Sequence, residues 1–273
     1  MRRHLSTILL LIIFLTGLSL LLYPTVSDYI NSKNQSKAIA EYTDDVAKLD
    51  EEEHEKLWQQ AVAYNTRLAS KETDWRLTEE EMQEYNQILN VNHSGMMGYI
   101  EIPKIKATLP IYHSTDEGTL QRNIGHLPGS SFPVGGESTH SVLSGHRGLP
   151  SAKLFSELDQ LTEGDQFMLS ILGQTLTYEV DQILIVLPDE MDALRIEPGK
   201  DLCTLVTCTP YGVNSHRLLV RGHRITNGNT SDQVHVIADA VQIEPVIAAP
   251  FIALPVLVIL VIAVMISSHK KKK

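Results

Sequence analysis

Two long, uncharged apolar runs stand at opposite ends of this 273-residue chain. The first covers residues 5–22 and follows Arg2 and Arg3, and the second covers residues 245–268 and precedes a lysine tail. Each is long enough to cross about 30 Å of hydrocarbon as a helix. Because the cations flank both runs on their outer ends, the positive-inside rule predicts that both termini are cytoplasmic. The segment between the runs would then be extracytoplasmic.

Each run also has a second interpretation. The first could be a removable signal peptide, although the sequence around Tyr23 and Pro24 offers no small-x-small cleavage site. The second could be a buried core helix, and Pro250 and Pro255 disfavour a regular helix there. Membrane helices tolerate proline, however, and a lysine cluster directly after the run is typical of an anchor. The sequence therefore favours two membrane spans.

Composition divides the chain into five segments. We predict an N-terminal transmembrane anchor over residues 1–27, a helical region over 28–96, a β-rich domain over 97–230, a juxtamembrane linker over 231–244, and a C-terminal transmembrane helix with a basic cytoplasmic tail over 245–273.

The formal charge of −10 restricts the partners of the segment between the spans. Cations gather at the two ends of the chain, so this segment is still more negative than the whole. Such a domain is a poor ligand for nucleic acid or anionic lipid. Neutral or lysine-bearing protein surfaces are better candidates. The acidity could equally serve only to keep the domain soluble.

The chain has two cysteines, Cys203 and Cys208. On one extended strand their separation of five residues spans about 16 Å, whereas a disulfide requires Cα atoms within about 7 Å. The odd spacing also directs the two side chains to opposite faces. We therefore expect no disulfide, a buried Cys203 and a free thiol at Cys208.

Periodicity predicts helices followed by many short strands. Apolar residues spaced for one face predict one or two amphipathic helices over residues 31–70, and Thr78 with Glu81 forms a capping box ahead of a helix over 79–89. A further helix is predicted over 152–161. The predicted strands cover residues 98–103, 107–113, 138–146, 166–172, 174–187, 203–208 and 217–225. This pattern suggests a closed barrel, although periodicity alone does not distinguish a barrel from a sandwich.

Three residues could form a site for acyl transfer. Cys208 ends the run Thr204-Leu205-Val206-Thr207-Cys208, and Arg217 follows nine residues later on the next strand. A nearby cation favours the thiolate, which is the nucleophilic form of cysteine. The best candidate for the histidine partner is His146, in the run Ser144-Gly145-His146-Arg147-Gly148. Each residue alone has a plainer interpretation, as a packed cysteine, a solvated arginine or a loop histidine.

Together these motifs resemble the sortases, the membrane-anchored cysteine transpeptidases of Gram-positive bacteria. The run ending at Cys208 is similar to the TLxTC signature of that family, and the block over residues 126–149 is similar to class C, the pilin-polymerising subgroup. The resemblance covers roughly residues 97–225. It implies a mostly β fold, the sortase eight-stranded β-barrel, here with N-terminal helices and two terminal transmembrane helices.

The resemblance also implies a role for each site residue. Cys208 would attack the peptide bond between threonine and glycine of an LPxTG-like signal, Arg217 would stabilise the oxyanion, and His146 would transfer protons. Thr207 and His140 are candidate supporting residues. No cofactor is expected. A zinc site built from His126, His140, His146 and Cys208 is the metal alternative, but the histidines lack close ligand spacing.

Class C sortases resemble one another in carrying a lid over the catalytic cleft, typically an aspartate followed by proline and an aromatic residue. This chain has Asp74 and Trp75 at the corresponding place, without the proline. As a lid, Asp74 would pair with Arg217 and Trp75 would cover Cys208. Alternatively, Asp74 is a surface charge and Trp75 packs the helices against the core.

The function that the resemblance implies is polymerisation of pilin subunits at the cell membrane. The acyl donor would be an LPxTG-containing pilin and the acceptor a pilin lysine amine, with no nucleic acid involved. Three alternatives remain open: a housekeeping sortase that attaches proteins to the cell-wall precursor, a plain cysteine protease, and a non-catalytic membrane-tethered scaffold that binds pilins.

Overall fold

The computed structural model describes residues 2–71 and 75–227. The chain forms two compact units, of which the described parts are residues 2–29 and the remainder from residue 30 onward. The helices are α1 (Arg2–Val46), α2 (Glu51–Ala69), α3 (Glu79–Gln87) and α4 (Glu117–Leu120). The strands are β1 (Met96–Ile102), β2 (Ala107–His113), β3 (Ile124–His126), β4 (Thr139–Ser144), β5 (Gln166–Ile171), β6 (Gln174–Val186), β7 (Asp201–Thr209) and β8 (His216–Ile225). Short 3₁₀ turns cover Pro103–Ile105, Leu158–Gln160 and Asp192–Leu194.

The eight strands close into a barrel in the order β1-β2-β3-β4-β7-β8-β6-β5. The β2–β3 and β4–β7 pairs are parallel, and the other pairs are antiparallel. Closure leaves no strand edge free to pair with another chain. The predicted eight-stranded barrel with N-terminal helices is therefore confirmed.

Side chains point alternately into and out of the barrel along each strand, and the inward ones fill its interior. On β7, Cys203 and Leu205 point inward and are fully buried, and on β8 the same is true of Val220. The intervening Val206 and Leu219 point outward and pack in a separate cluster with Val142. These strands are thus apolar on both faces, which is why they read as continuous hydrophobic runs in the sequence.

Polar side chains on the N-terminal helices attach them to the barrel. The Tyr42 hydroxyl of α1 donates to the Met97 carbonyl at 2.9 Å and accepts from the Leu172 amide at 2.9 Å. The Asn65 side chain of α2 accepts from the Phe132 amide and donates to its carbonyl, at 2.7 and 3.0 Å. Buried backbone groups outside the sheet ladder are satisfied in this way. Helix α2 and the part of α1 from residue 30 onward are consequently part of the folded domain.

Helix α3 contacts the barrel through a cluster of rings. The Tyr85 hydroxyl lies 3.0 Å from Nδ1 of His126, and the Phe132 ring stacks on the His126 imidazole with centroids 5.4 Å apart. The other ring nitrogen of His126 lies 2.9 Å from the Ser131 carbonyl. Burial lowers the pKa of His126 to about 3. His113 packs against the same tyrosine, and burial also lowers its pKa. Both imidazoles are therefore neutral in the folded protein near pH 7.

The seven predicted strands and the helix predicted over 79–89 are confirmed, with ends shifted by a few residues. The helices predicted over 31–70 are confirmed as well, but the first of them is the C-terminal part of α1, which begins at Arg2. The capping box of Thr78 and Glu81 is present. The predicted helix over 152–161 is wrong, because Leu154 has a φ of 41° and only Leu158–Gln160 is helical, as a single 3₁₀ turn. The sequence analysis also missed β3, which has three residues and no alternation that could reveal it.

The first predicted membrane span lies within α1. Among the described residues, Leu11–Val46 is the helical stretch long and apolar enough to cross a membrane, with a mean hydropathy of 1.6. An apolar N-terminal helix of this kind fits a membrane anchor. The second predicted span, over residues 245–273, and the linker over 231–244 lie outside the described residues.

We expect Tyr42→Phe to lower the free energy of unfolding by about 1–3 kcal/mol, because it leaves the Met97 carbonyl and the Leu172 amide buried without their partner. Guanidinium unfolding of the full-length protein in detergent would measure the change. The matched control is Tyr211→Phe, since the Tyr211 side chain is 64% exposed. Equal stability of the two variants would contradict the bridging role of Tyr42.

The buried histidines predict a loss of stability in acid. The pKa of His126 is about 3 in the folded state, against about 6.5 for a free imidazole, so the unfolded chain binds a proton first as the pH falls. This group alone should therefore reduce stability by about 1.4 kcal/mol per pH unit below about pH 6.5. His126→Gln should flatten the dependence of the unfolding free energy on pH, whatever its effect at pH 8. His93→Asn, at an exposed position, is the control and should keep the wild-type slope.

Candidate active site

Cys208 and Arg217 are direct neighbours on adjacent strands. They are partners in the β7–β8 register, so their side chains leave the same face of the barrel. The Cys208 side chain is partly exposed, whereas Cys203 is fully buried and burial raises the pKa of its thiol. Both cysteines are free. The structure thus pairs Cys208 with Arg217 across adjacent strands and buries the other thiol.

The segment carrying His146 reaches the same end of the barrel along β4. The parallel β4–β7 register pairs Ser144 with Val206, and the Gly145 amide continues it by donating to the Val206 carbonyl at 3.0 Å. Two residues further along both segments lie His146 and Cys208. The His146 carbonyl accepts from the Phe155 amide at 3.2 Å. The fold therefore brings His146 to the level of Cys208, on the side opposite Arg217.

Glycine at position 145 is required for this approach. A Cβ there would lie 2.6 Å from Cδ1 of Ile124 and 2.7 Å from Cδ2 of Phe155, closer than carbon atoms can pack. The predicted helix over 152–161 is replaced by turns that place the Phe155 ring against Gly145 and its amide against His146. The close contact thus holds the histidine segment against the barrel.

The two candidate supporting residues occupy different places. Thr207 is buried, and its hydroxyl donates to the Gly145 carbonyl at 2.7 Å, one residue before both His146 and Cys208. His140 lies further back on β4, opposite Leu202. Only Thr207 directly contacts the histidine segment.

His140 has the hydrogen bonds of a buried, neutral imidazole. Its Nδ1 lies 2.8 Å from the Arg195 carbonyl, and its Nε2 lies 2.7 Å from the Thr204 hydroxyl. These partners assign the proton to Nδ1, because a carbonyl only accepts, while the hydroxyl donates to Nε2. Burial lowers the pKa of His140 in agreement with this assignment.

The same contacts argue against the zinc alternative. His126 faces Tyr85 and Ser131 inside the ring cluster, so its nitrogens are engaged far back in the packing between α3 and the barrel. His140 is engaged by Arg195 and Thr204. Within residues 2–71 and 75–227 no group of three or more histidine, cysteine or acidic side chains is arranged to hold a metal ion. Of the candidate ligands, His126 and His140 are therefore engaged by partners other than Cys208.

An apolar floor lies on the barrel face that carries Cys208. It consists of Val142, Val206 and Leu219, from β4, β7 and β8. Val206 is two residues before Cys208 and Leu219 two residues after Arg217, so alternation puts all four side chains on one face. Partly buried side chains around it include Leu127, Leu184, Val186 and Met191. Sequence analysis missed this floor, although the unbroken runs Leu205-Val206 and Leu218-Leu219-Val220 carry the signal of strands buried on both faces.

Trp75 packs against the cluster of Val142, Leu194 and Leu219, two of which belong to the apolar floor. This contact differs from the alternative in which Trp75 packs the helices against the core, because the core inside the barrel is a separate cluster. Asp74, the other predicted lid residue, lies outside the described residues.

Comparison with known proteins assigns this architecture to a family. The family model described as "Sortase domain" matches residues 100–225. The crystal structure of sortase C1 from Streptococcus agalactiae superposes with a TM-score of 0.69 at 54% identity, covering 70% of this chain and all of that one. The chain belongs to the sortase family. Sortase C from Streptococcus pneumoniae superposes with a TM-score of 0.64 at 44% identity, covering 70% of this chain and 97% of that one. These neighbours identify it as a class C sortase.

A curated relative extends the comparison to another sortase subgroup. Sortase D of Bacillus subtilis (strain 168) is 35% identical over 132 residues, which are 47% of this chain and 64% of that protein. The match thus spans less than two thirds of the relative's length.

Proposed function

We propose that this sortase is a cysteine transpeptidase that cleaves an LPxTG-like sorting signal between threonine and glycine and joins the acyl group to a lysine of a pilin subunit. The observation that carries the proposal is the convergence of three chain segments at one end of the barrel. Arg217 is paired with Cys208 across β7 and β8, and the His146 segment is bonded to β7 on its other side. The structure of sortase C from S. pneumoniae bears on pilin substrate specificity, which supports a pilin substrate here.

The first half of the proposed reaction forms a thioester. The Cys208 thiolate attacks the threonine carbonyl carbon, and the carbonyl π electrons move to oxygen. Arg217 donates hydrogen bonds to that oxyanion, for which a planar guanidinium is better suited than an ammonium. When the intermediate collapses, the C–N bond breaks, and the glycine nitrogen leaves as an amine with a proton from His146. The acyl group is then held on Cys208.

The second half transfers the acyl group to an amine. His146, now neutral, accepts a proton from the incoming lysine amine as its nitrogen attacks the thioester carbonyl. The C–S bond breaks and the thiolate is restored, while the product is an isopeptide between two subunits. Water in place of lysine would give threonine acid, the product of a cysteine protease. The choice between these outcomes depends on keeping water away from the thioester.

The apolar floor fits the apolar part of the sorting signal. Val142, Val206 and Leu219 lie on the same face as Cys208, so a leucine-proline segment extending away from the thiol would bury its side chains there. Trp75 packs against the cluster that contains Val142 and Leu219 of this floor, which supports a covering role. We therefore propose that Trp75, together with Asp74, acts as the lid and occupies space that the signal needs.

The proposed membrane location rests on the two apolar runs and the cations that flank them. Helix α1 would anchor it, residues 245–273 would form a second span, and both termini would be cytoplasmic. The barrel would then meet pilins that are themselves in the membrane. A housekeeping sortase acting on the cell-wall precursor remains the second candidate. The described contact of Trp75 with the floor favours the pilin role, because a covered cleft suits an enzyme that selects one protein acceptor.

The test uses the full-length protein in detergent with a pilin that ends in an LPxTG-type signal, beside the Cys208→Ala variant. We expect wild type to form a ladder of subunits joined through lysine and Cys208→Ala to form none, because no thioester can arise. Mass spectrometry of the linkage is the measurement. Cys203→Ala is the matched control and should retain the ladder, since that thiol is buried.

Other products would each decide against a part of the proposal. Threonine acid as the sole product would indicate a protease. Efficient joining to a short glycine amine, without pilin ladders, would indicate a housekeeping sortase. Equal pilin binding by wild type and Cys208→Ala, without cleavage by either even when Trp75 is replaced by alanine, would indicate a scaffold.

The lid proposal predicts that Trp75→Ala increases the rate at which a thiol reagent labels Cys208, by about tenfold if the covered state dominates. Trp58→Ala, which removes the chain's other tryptophan from α2, is the matched control and should leave the labelling rate near that of wild type. Labelling reactions that are quenched at set times and analysed by peptide mass spectrometry measure the rate at each cysteine. Unchanged labelling in Trp75→Ala would rule out a covering role for this side chain.

A further inference from the structure

Cys208 is flanked in the chain by two threonines whose side chains lie on the opposite face of β7. Thr207 and Thr209 are buried, with 2% and 8% of their surfaces exposed. The Thr207 hydroxyl donates to the Gly145 carbonyl, so the residue before the cysteine is tied to the residue before the histidine. The same segment is also held by the Gly145 amide on the Val206 carbonyl and by the Phe155 amide on the His146 carbonyl, both of which act at or before His146.

Arg147 supplies a second tie on the other side of the pair. Its Nη1 donates to the Thr209 hydroxyl at 3.4 Å, so the residue after the histidine is bonded to the residue after the cysteine. This distance is long for an N–H···O bond, and the contact draws its strength from the charge of the donor and from burial. His146 and Cys208 are thus bracketed by two side-chain bonds, one before and one after each of them.

The placement of the Arg147 guanidinium is unusual for a loop arginine. Its side chain is only 10% exposed, and Nη2 pairs with Asp159, whose side chain is 48% exposed. Its Nε is buried without a hydrogen-bond partner among the described residues. Burying a cation is costly, and a carboxylate that remains half in water offsets only part of that cost. Stability alone therefore does not account for an arginine at this position.

We propose that Arg147 is a positioning residue that, through Thr209, fixes the imidazole of His146 relative to the thiol of Cys208. Asp159 holds one arm of the guanidinium fork, and because the fork is planar and rigid, the other arm is fixed as well. The segment after His146 is held at one more point, since the Gly148 amide donates to the Ser156 hydroxyl at 3.0 Å. The proposal rests on the proposed function, in which Cys208 holds the acyl group while His146 transfers a proton to the leaving amine and from the incoming one.

Two explanations of an effect at Arg147 must be separated. The guanidinium could act by its charge on the thiolate or by its hydrogen bond to Thr209. Thr209→Val distinguishes them, because it removes the hydroxyl and leaves the charge and its Asp159 partner in place. Thr209→Ser restores the hydroxyl and serves as the conservative rescue. Thr177→Val is the matched control, since Thr177 is also a buried strand threonine but lies opposite Ile225, far from the site.

The experiment measures kcat and KM of the full-length protein with an LPxTG-type peptide and an amine acceptor, together with the thermal unfolding midpoint. We expect Thr209→Val to lower kcat about tenfold with KM unchanged, because a misplaced proton donor affects the chemical step and not binding. Arg147→Met should lower kcat at least as much. Thr209→Ser should recover most of the rate, and Thr177→Val should keep the wild-type kcat.

The pH dependence of Cys208 alkylation gives a readout that needs no substrate. We expect Thr209→Val to move the pH midpoint of labelling from that of wild type toward that of His146→Ala, since the imidazole no longer stays beside the thiol. A wild-type kcat and a wild-type labelling midpoint in Thr209→Val would overturn the positioning role. Losses of kcat that only follow losses of folded protein, in Thr177→Val as well, would also overturn it.

Failure of the proposed function is distinguishable from failure of the positioning role of Arg147. If wild type shows no Cys208-dependent turnover, the transpeptidase assignment is lost, while the labelling midpoints still report whether Arg147 and Thr209 position the pair. If turnover is normal and Thr209→Val is indistinguishable from wild type by both measurements, only the positioning role is lost.

Discussion

The placement of β7 between β4 and β8 is the constraint on which the rest of the site depends. A strand has two neighbours, and here one is parallel and the other antiparallel, so β4 ends and β8 begins at the end of the barrel where β7 carries Cys208. His146 and Cys208, some sixty positions apart in the chain, are thereby brought to the same end of the barrel by strand pairing. Because the barrel is closed, β7 cannot slip relative to its neighbours without breaking the ladder on both sides. The alignment of thiol, imidazole and guanidinium is thus a property of the sheet register.

The N-terminal helices are attached to this barrel by polar groups in apolar surroundings. Tyr42 and Asn65 satisfy backbone groups that no strand pairs, and Tyr85 reaches the buried His126. Such contacts add little net stability while they are intact, but breaking one leaves a desolvated group behind. They therefore specify one docking geometry for the helices. Trp75, just before α3, packs against the cluster that contains Val142 and Leu219 of the apolar floor.

The sequence predicted the parts of the structure that depend on local pattern or on a recognisable motif. Alternation located seven strands, the capping box located α3, and the odd spacing of the two cysteines separated the buried thiol from the exposed one. Tertiary contacts overrode pattern elsewhere. Residues 152–161 have helical periodicity, yet they form turns because Phe155 packs on Gly145. Strand β3 is too short to show alternation, and the unbroken apolar runs of β7 and β8 indicate strands buried on both faces without indicating that their outer residues join Val142 of β4.

Arg147 and Arg217 differ in burial and in bonding partners, and these differences distinguish their proposed roles. Arg147 is nine-tenths buried and paired with Asp159, so its charge is largely neutralised and its position fixed. Arg217 donates from Nη1 to the carbonyls of Asn214 and His216, and within residues 2–71 and 75–227 no carboxylate forms an ion pair with it. Neutral carbonyls orient a guanidinium without cancelling its charge. In the proposed reaction, an oxyanion beside Cys208 would therefore be stabilised more by Arg217 than by Arg147. The partner of each cation, more than its distance in sequence from the thiol, decides whether it holds the site together or acts on the substrate.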